Sequence, residues 1–443
     1  MSNMILERRY YVLDVKLSSP MNISSGNNEF TDVDVLRNGA GDVFIPGTSL
    51  AGAFRNYFGQ QKIETGIFGF SKDQNGKMSS IHISDMYFDE RPIVSERDGI
   101  KLDEQKRVTD GKKYDMEIIE TGAAGKIYLQ FIKREEDKAD DNFDSVIYKL
   151  VNAIQEGEIR LGGNKNRGLG RLSVEKVYEK KFDYTVEEKD NLVDEWLEFV
   201  PNRKDITAYE EIDVNAYAYD FERQYIKMTI PLKQKGGISI RSYSATPGKA
   251  DYEHITCNGE PVVPGTSWNG AIRSQIKKIL STPGLEMTRK IESAERKEKC
   301  SPIDGLLQIW FGYEVEKNQE NRQSYVVIGE SVIKGAELVP ITRANINRFS
   351  SATVTNALYS EIACFNGITS LEILISKKYE YYQAVIGMLL LVIQDLQNGY
   401  LSIGGQASIG RGLFEQNGDI LFSEELDEKV CAKALYDFLY EVG

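Results

Sequence analysis

Histidine and cysteine are scarce in this chain, and their scarcity disfavours several kinds of site. The 443 residues include two histidines, His82 and His254, and four cysteines. No two cysteines stand in C-x-x-C spacing, so neither a zinc site nor a disulfide framework is indicated. The two histidines stand in unrelated sequence contexts and do not form an evident catalytic pair. Scattered, reduced cysteines are typical of the cytoplasm, which is the predicted location.

Long apolar runs are also missing. Even the apolar segment Ala384–Ile393 is too short to cross a membrane and has polar flanks, so it predicts a buried helix. The N-terminus begins directly with an alternating strand pattern and shows no signal-peptide apolar region. With 41% hydrophobic and 27% charged residues, the composition predicts a soluble globular protein with no membrane partner.

Positive charge is in deficit, since 54 Lys and Arg stand against 67 Asp and Glu and give a formal charge of −13. Acidic side chains concentrate in the blocks 134–144, 186–198 and 209–213. Such blocks usually form a solvated face or a linker. RNA binding needs only a local basic track, so the net charge neither predicts nor excludes it.

Two segments of eleven residues repeat one pattern, IPGTSLAGAFR at Ile45–Arg55 and VPGTSWNGAIR at Val263–Arg273. Further matches keep the same order along both halves, which indicates duplication of a whole domain. The matched segments are Val15–Leu17 with Ile230–Leu232, Ile67–Phe70 with Trp310–Tyr313, Arg97–Ile100 with Arg343–Ile346, and Leu161–Leu172 with Ile403–Phe414.

The duplication predicts two domains in tandem, as the length of the chain also favours. We expect the first copy at residues 1–178, an acidic connector at 179–223 and the second copy at 224–443. The distance between matched segments increases within 281–308, which predicts an insertion unique to the second copy.

Each copy has the pattern of an α+β fold. Alternating apolar and polar residues predict strands, for example at 10–17 and 225–232, and the segments after each Pro-Gly turn have helical periodicity. Ser49 and Ser267, or the threonine before each, are the expected N-caps of these helices. The order strand, helix, strand, strand, helix, strand predicts a ferredoxin-like domain, as in RNA-recognition folds.

The repeated Pro-Gly segments, named here the Pro-Gly motifs, are candidate anion sites. A turn that leads into a helix presents backbone N–H groups, which bind phosphate well. An ordinary strand-to-helix turn is the alternative, and the repetition favours binding. The candidate RNA-binding residues are Gly47, Thr48, Ser49 and Arg55 in the first copy and Gly265, Thr266, Ser267 and Arg273 in the second.

Two glycine-rich segments, named here the glycine loops, stand at 161–172 and 403–414. Glycine allows close approach to sugar and phosphate, and arginine pairs with phosphate in bidentate fashion. Neither loop is a Walker or Rossmann motif, and a plain turn is the alternative. The candidate RNA-binding residues are Gly162, Gly163, Asn164, Lys165, Asn166, Arg167 and Arg171, and Gly404, Gly405, Gln406, Ser408 and Arg411.

Asp32 and Asp251 are the candidate catalytic residues, because each precedes its Pro-Gly motif by a similar distance. A carboxylate beside bound phosphate can hold a divalent cation or accept the proton of a ribose 2′-OH. Asp34 competes with Asp32 for this role, and a turn or capping role is the alternative for any loop aspartate.

The combination of these motifs resembles the RAMP superfamily of CRISPR-associated proteins. The Pro-Gly motifs resemble its Pro-Gly-Ser-Ser-Leu-Lys-Gly-x-x-Arg motif, with Ala51 and Asn269 at the lysine position, and the glycine loops resemble its C-terminal signature. Residues 97–122 resemble the thumb-like β-hairpin of type III backbone subunits, and 343–367 resemble it more weakly. Two such domains in one chain resemble the fused subunits of type III-D systems.

The resemblance implies two tandem RAMP domains that bind crRNA along its phosphates, beside other type III effector subunits. The thumbs, with Arg97, Ile100, Arg343 and Ile346, would intrude between guide and target RNA. The catalytic aspartate of the family falls on Asp32 and Asp251. It would cleave target RNA at six-nucleotide-spaced sites with Mg²⁺ or Mn²⁺, leaving a 2′,3′-cyclic phosphate and a 5′-OH.

Other functions stay open on the sequence. A non-catalytic scaffold or capping subunit of the same complex would use the same fold with structural aspartates. A stand-alone enzyme that processes precursor crRNA is disfavoured by the lack of a histidine pair, and no cofactor motif supports a small-molecule enzyme.

Overall fold

A computed structural model describes most of the chain. The described residues are 4–24, 26, 30–60, 67–72, 75–102, 108–137, 143–186, 189–201, 206–213, 223–243, 250–285, 287–288, 301–312 and 323–440. Residues 286 and 289–300 of the predicted insertion at 281–308, and residues 187–188, 202–205 and 214–222 of the predicted connector, therefore lie outside them.

The chain divides into two compact units. Unit 1 comprises Met1–Arg97, Tyr114–Lys165 and Leu169–Glu222, and unit 2 comprises Asp98–Lys113, Asn166–Gly168 and Arg223–Gly443. The predicted connector thus groups with unit 1.

Helices and strands alternate through both copies, which makes the fold mixed α+β. The helices are α1 Gly47–Gln60, α2 Val146–Gln155, α3 Lys189–Glu198, α4 Gly265–Leu280, α5 Pro302–Phe311, α6 Tyr382–Gln397 and α7 Glu428–Tyr440. The strands before residue 223 are β1 Ile5–Leu17, β2 Phe44–Ile45, β3 Phe70–Lys72, β4 Asn75–Lys77, β5 Ile81–Ile83, β6 Met86–Tyr87, β7 Val94–Leu102, β8 Val108–Ile119, β9 Ala124–Arg134, β10 Leu172–Asp183 and β11 Glu210–Glu211. The later strands are β12 Tyr225–Lys235, β13 Gly237–Ile238, β14 Arg241–Tyr243, β15 Tyr252–His254, β16 Thr256–Cys257, β17 Glu260–Val263, β18 Val326–Ile328, β19 Ser331–Val332, β20 Glu337–Ile346, β21 Thr353–Phe365, β22 Ile368–Ser376, β23 Leu413–Gln416 and β24 Leu421–Phe422.

The main sheets of the two copies share an order of four strands and differ in the fifth, which is β11 beside β10 in the first sheet and β24 beside β12 in the second. The first runs β11-β10-β1-β9-β5 and the second β23-β12-β22-β18, with neighbours antiparallel in both. In each, the first long strand of the copy lies between the strand that follows the thumb and a strand near the C-terminal end of the copy: β1 lies between β9 and β10, and β12 lies between β22 and β23. The predicted strands at 10–17 and 225–232 are therefore confirmed as these central strands.

Each main sheet carries its helices on an apolar face. In the first copy, alternate residues of β1 such as Leu13 and Val15 pack with Phe54 of α1 and Leu150 of α2. In the second, Ile230 of β12 packs in a core with the helices α4 to α7. Trp268 and Trp310 are fully buried there, and burial of each stabilises the fold by roughly 1.5–3 kcal/mol or more.

The connector covers the opposite face of the first sheet. Tyr10 and Val12 of β1 point to this face and pack with Phe182 of β10, Phe199 and Tyr209. Trp196 of α3 donates its Nε1 hydrogen to the Tyr10 hydroxyl at 2.7 Å. The acidic block at 186–198 therefore packs against the first sheet through Trp196.

The predicted N-caps differ from the structure. Helix α4 begins one residue after Pro264, and the Ser267 amide already donates to the Pro264 carbonyl at 2.9 Å. The Ser49 amide donates to the Pro46 carbonyl in the same way. Both serines thus lie inside the first turn, because proline with its fixed φ starts the helix without a side-chain cap.

Candidate nucleic-acid interface

The thumb hairpins β7–β8 and β20–β21 provide the strands on which the candidate residues meet. In the first copy, Asp32 lies against Asp115 of β8, and the backbone amide of each residue donates to the side-chain carboxylate of the other. The Asp32 amide donates to the Asp115 carboxylate at 2.9 Å, and the Asp115 amide donates to the Asp32 carboxylate at 3.1 Å. Two carboxylates are thereby held side by side, and Asp32 is exposed.

Asp251 has the corresponding position in the second copy. Its carboxylate accepts the Ser360 amide of β21 at 2.7 Å, and its own amide donates to the Ser360 carbonyl at 3.1 Å. Asp251 is exposed as well. Serine replaces the second aspartate, so this copy has one carboxylate where the first has two.

The sheet register makes the two positions equivalent independently of sequence matching. Val33 forms a parallel bridge with Met116, and Tyr252 forms a parallel pair with Glu361. Asp32 and Asp251 directly precede the paired loop residues Val33 and Tyr252. Their hydrogen-bond partners, Asp115 and Ser360, directly precede the paired thumb-strand residues Met116 and Glu361.

Asp34, the alternative to Asp32, has a structural role. It is buried, and its carboxylate accepts the Phe30 amide at 3.1 Å, the Thr31 amide at 2.7 Å and the Thr31 hydroxyl at 2.8 Å. These bonds fix the turn that presents Asp32 to solvent.

The glycine loops have the same backbone path in both copies. Asn164 and Gln406 both have a left-handed φ, of 52° and 62°, and a 3-10 turn follows each. A Cβ on Gly170 or Gly412 would lie 1.8 or 1.9 Å from a carbonyl oxygen of the same loop, at a φ of 81° or 75°. Glycine is required at these two positions, so the two loops match in backbone geometry as well as in sequence.

The glycine loops also contact the thumb strands. In the first copy the Asn164 amide lies 3.6 Å from the Met116 sulfur. In the second, Gln406 donates through Nε2 to the Glu361 carboxylate at 2.9 Å. The aspartate and the glycine loop of each copy therefore contact two neighbouring residues of the thumb strand. These are Asp115 and Met116 in β8 and Ser360 and Glu361 in β21, and each pair is named here the convergence point of its copy.

Glu361 organises this point in the second copy. It is fully buried, and one oxygen lies 2.8 Å from an Arg411 nitrogen and 3.3 Å from an Arg343 nitrogen. Arg411 is itself buried, and its charge is compensated inside the protein. A buried acid between two arginines fixes the glycine loop against the base of the thumb.

The remaining glycine-loop side chains differ in exposure. Lys165 and Ser408 are exposed, whereas Asn166, Arg167 and Arg171 are half-buried. The Arg171 guanidinium donates to the Gln155 carbonyl at 3.3 Å. Gly162 packs under the Asn22 carbonyl and Gly404 under that of Ser239, and the amides of Gly163 and Gly405 donate to the same two carbonyls.

The Pro-Gly motifs contact another element, the edge of each main sheet. A Cβ on Gly47 would lie 2.6 Å from the Ile83 carbonyl oxygen, and one on Gly265 would lie 2.5 Å from that of Ile328. The Gly47 amide donates to the Asp85 carboxylate at 2.7 Å, so a carboxylate of the protein already lies at the N-terminus of α1.

The other Pro-Gly side chains are variably accessible. Thr48 and Thr266 are exposed, as is Arg55, whose guanidinium donates to the Gly69 carbonyl at 3.3 Å. Arg273 is half-buried with its guanidinium 5.5 Å from the Phe311 ring centre, and burial lowers its pKa.

The thumb hairpins combine a fixed base with exposed apolar residues. Arg97 is buried at the base of the first thumb, whereas Ile100 and Ile346 are exposed. The tip of the second thumb presents Phe349 with its whole side chain in solvent. Its turn is held by the Asn347 side chain, which accepts the Phe349 amide at 2.9 Å.

His254 is a buried structural residue. Its Nδ1 accepts the Ile240 amide at 3.2 Å, so Nε2 carries the hydrogen and donates to the Val262 carbonyl at 3.0 Å. Burial lowers the pKa of His254 to about 4, which keeps the ring neutral at neutral pH.

Metal ligands are few at the convergence point. Within the described part of the chain, no group of three His, Cys, Asp or Glu side chains is arranged to hold a metal ion. Mg²⁺, however, is usually bound through one or two carboxylates completed by water and substrate phosphate. Asp32 with Asp115, and Asp251 with the Ser360 hydroxyl, fit a cation shared with RNA.

The chain belongs to the RAMP superfamily, whose family profile matches residues 14–173 and 240–415. RAMP proteins work in CRISPR complexes with RNA and other subunits. A comparison with curated proteins finds no significant match. Among the helices that the structure describes, none has the length and apolar character needed to cross a membrane.

Sequence reasoning missed Asp115, Asp85 and Glu361. Glu361 had a detectable signal, since it is a lone acid beside the apolar run IACF in a strand pattern. Asp115 and Asp85 carry no such signal, because only the fold places them beside the loop and the helix that they contact.

Proposed function

We propose that this chain is a backbone subunit of a type III CRISPR effector complex, with two ferredoxin-like RAMP domains that bind crRNA and cleave complementary target RNA. The equivalent placement of Asp32 and Asp251, exposed beside the thumb and the glycine loop in both copies, carries this proposal. Family membership and the shared strand order support it.

Cleavage would start from the ribose 2′-OH. Asp32 or Asp251 takes its proton, and the 2′-oxygen attacks the adjacent phosphorus while the bond to the 5′-oxygen breaks. The 5′-oxygen takes a proton from water, which leaves a 2′,3′-cyclic phosphate and a 5′-OH. A bound Mg²⁺ or Mn²⁺ would supply charge neutralisation at the phosphate oxygens.

The glycine loops and thumbs would have separate roles. Exposed donors such as Lys165 and Ser408 would contact the crRNA backbone, whereas the buried Arg411 would position its loop through Glu361. The exposed tip with Phe349 would intrude between guide and target strands.

A non-catalytic scaffold is the second candidate function. Its support is that both aspartate carboxylates already accept a thumb-strand amide, which is a sufficient structural role. In that case the two copies would bind guide RNA without cutting the target.

Single and double replacements of Asp32 and Asp251 by alanine in the assembled complex separate the two functions. If the chain is a nuclease, each single variant should lose one set of cleavage sites. The double variant should cleave target RNA at least 100-fold more slowly than the wild type. Asp42→Ala, at another exposed aspartate of the first copy, is the control. Unchanged cleavage by the double variant would establish the scaffold.

A further inference from the structure

An open pocket of about 420 Å³ lies in unit 2 beside Asp251. Its lining comes from segments distant in sequence: Arg241 and Tyr252 from β14 and β15, Arg343 and Tyr359 from the second thumb, and Gln406 and Ser408 from the glycine loop. The pocket is shallow and open to solvent, so it suits one part of a larger ligand.

One wall of the pocket is a stacked pair. The Arg241 guanidinium lies 4.1 Å from the ring centre of Tyr252, close enough for a cation–π contact. Among the residues that the structure describes, no carboxylate pairs with Arg241. A stacked guanidinium keeps its edge donors available, so this wall offers a planar surface and a positive charge.

The rest of the lining is also positive, because two arginines share a single carboxylate. Arg343 shares the carboxylate of Glu361, at 3.3 Å, with Arg411. Tyr359 is 37% exposed and adds a second aromatic ring, and Ser408 adds an exposed hydroxyl. The pocket therefore combines Arg241, with which no described carboxylate pairs, a net positive charge on Arg343, Arg411 and Glu361 together, two aromatic rings and uncharged hydrogen-bonding groups.

This combination matches an anion joined to a flat ring. We propose that the pocket binds one unpaired nucleotide of an RNA strand, with its base against the tyrosines and its phosphate on Arg241. The proposal rests on the RNA-binding function proposed above and specifies a nucleotide subsite for it.

The subsite is confined to the second copy. The register pairs Ser24 with Val35 as it pairs Arg241 with His254, so Ser24 is the counterpart of Arg241. Val33 is the counterpart of Tyr252. The first copy thus lacks the Arg241–Tyr252 stack, although Tyr114 stands at the position of Tyr359, and it supplies the natural replacements Arg241→Ser and Tyr252→Val.

Equilibrium binding of the full chain to a short labelled single-stranded oligoribonucleotide tests the subsite. Each replacement should weaken binding about tenfold, within the range of one lost base–aromatic stack. Tyr252→Phe, which keeps the ring, should retain binding. Ser24→Arg in the first copy is the matched surface control and should not reproduce the loss. Thermal unfolding of each variant separates local from global damage.

Competition with inorganic phosphate, a nucleoside monophosphate and an RNA duplex identifies the chemistry. The single strand should compete best, the monophosphate weakly, and phosphate and duplex least. Equal competition by phosphate, or wild-type affinity in both Arg241→Ser and Tyr252→Val, would overturn the subsite and leave the proposed function intact. No binding of the single strand by the wild-type chain would overturn both.

Discussion

The two copies share a backbone and differ in the side chains at their convergence points. The glycine loops repeat the same left-handed residues, and both aspartates hold the same amide of the thumb strand. At the next strand position, however, Met116 stands in the first copy and Glu361 in the second. After duplication, the geometry was kept and the chemistry diverged, which predicts unequal roles for the copies.

Replacing Glu361 by methionine, the residue of the first copy, should produce the largest effect. Arg411 and Arg343 would lose their shared carboxylate, and a buried charge left without its partner costs about 3–5 kcal/mol. Urea unfolding measures the loss. Glu361→Gln keeps a side-chain oxygen that accepts from Gln406 and should lose less. An unchanged midpoint for Glu361→Met would refute the role of the network.

Acidification should destabilise the second copy through His254, whose counterpart is Val35. The folded-state pKa of about 4 lies below the ordinary 6.5, so the unfolded chain takes up the proton first. The stability is complete above about pH 6.5 and falls toward pH 4, by roughly 3 kcal/mol. His254→Val should reduce this slope in unfolding measurements between those pH values. Parallel slopes for variant and wild type would contradict the assignment.

Alanine at Gly170 or Gly412 tests whether the loops are equivalent. Each variant should lose roughly 2 kcal/mol or more, because the Cβ meets a carbonyl at a left-handed φ. Gly52→Ala and Gly270→Ala are matched controls in α1 and α4, where a Cβ has open space, and they should gain about 0.5–1 kcal/mol. Clearly different losses at the two loop positions would break the equivalence.

Asp85→Ala should have the smallest effect, a loss of about 1 kcal/mol, because α1 loses a carboxylate at its N-terminus. Thermal unfolding measures it, with the exposed Glu90→Ala as control. A loss no greater than that of the control would show that the Gly47 amide gains nothing from Asp85.

Much of the fold was predictable from sequence, because strand alternation and helical periodicity report burial directly. The central strands and the helices after the Pro-Gly motifs follow from such patterns, whereas the thumb hairpins were expected only from the resemblance to the RAMP superfamily. The serine caps were wrong because propensity does not tell which residue of a Pro-Gly-Thr-Ser run starts the helix.

The candidate site was predictable only in part. Asp32 and Asp251 were found by repetition, and the structure gives them equivalent partners. The sequence could not decide between Asp32 and Asp34, because no periodic pattern shows which residue of a loop is buried. The Arg241–Tyr252 stack and the Glu361 network join segments far apart in sequence, so tertiary structure alone assembles them.

The aromatic packing under helix α3 has a consequence for how RNA can approach the first copy. Small RNA-binding domains with this strand order commonly stack bases on the open face of the sheet. Here Tyr10 and Val12 on that face are sealed by Trp196 and Phe199. In the proposed RNA-binding function, the loops at the ends of the sheet would therefore contact the RNA of the first copy, and they would recognise its sugar-phosphate backbone more than its bases.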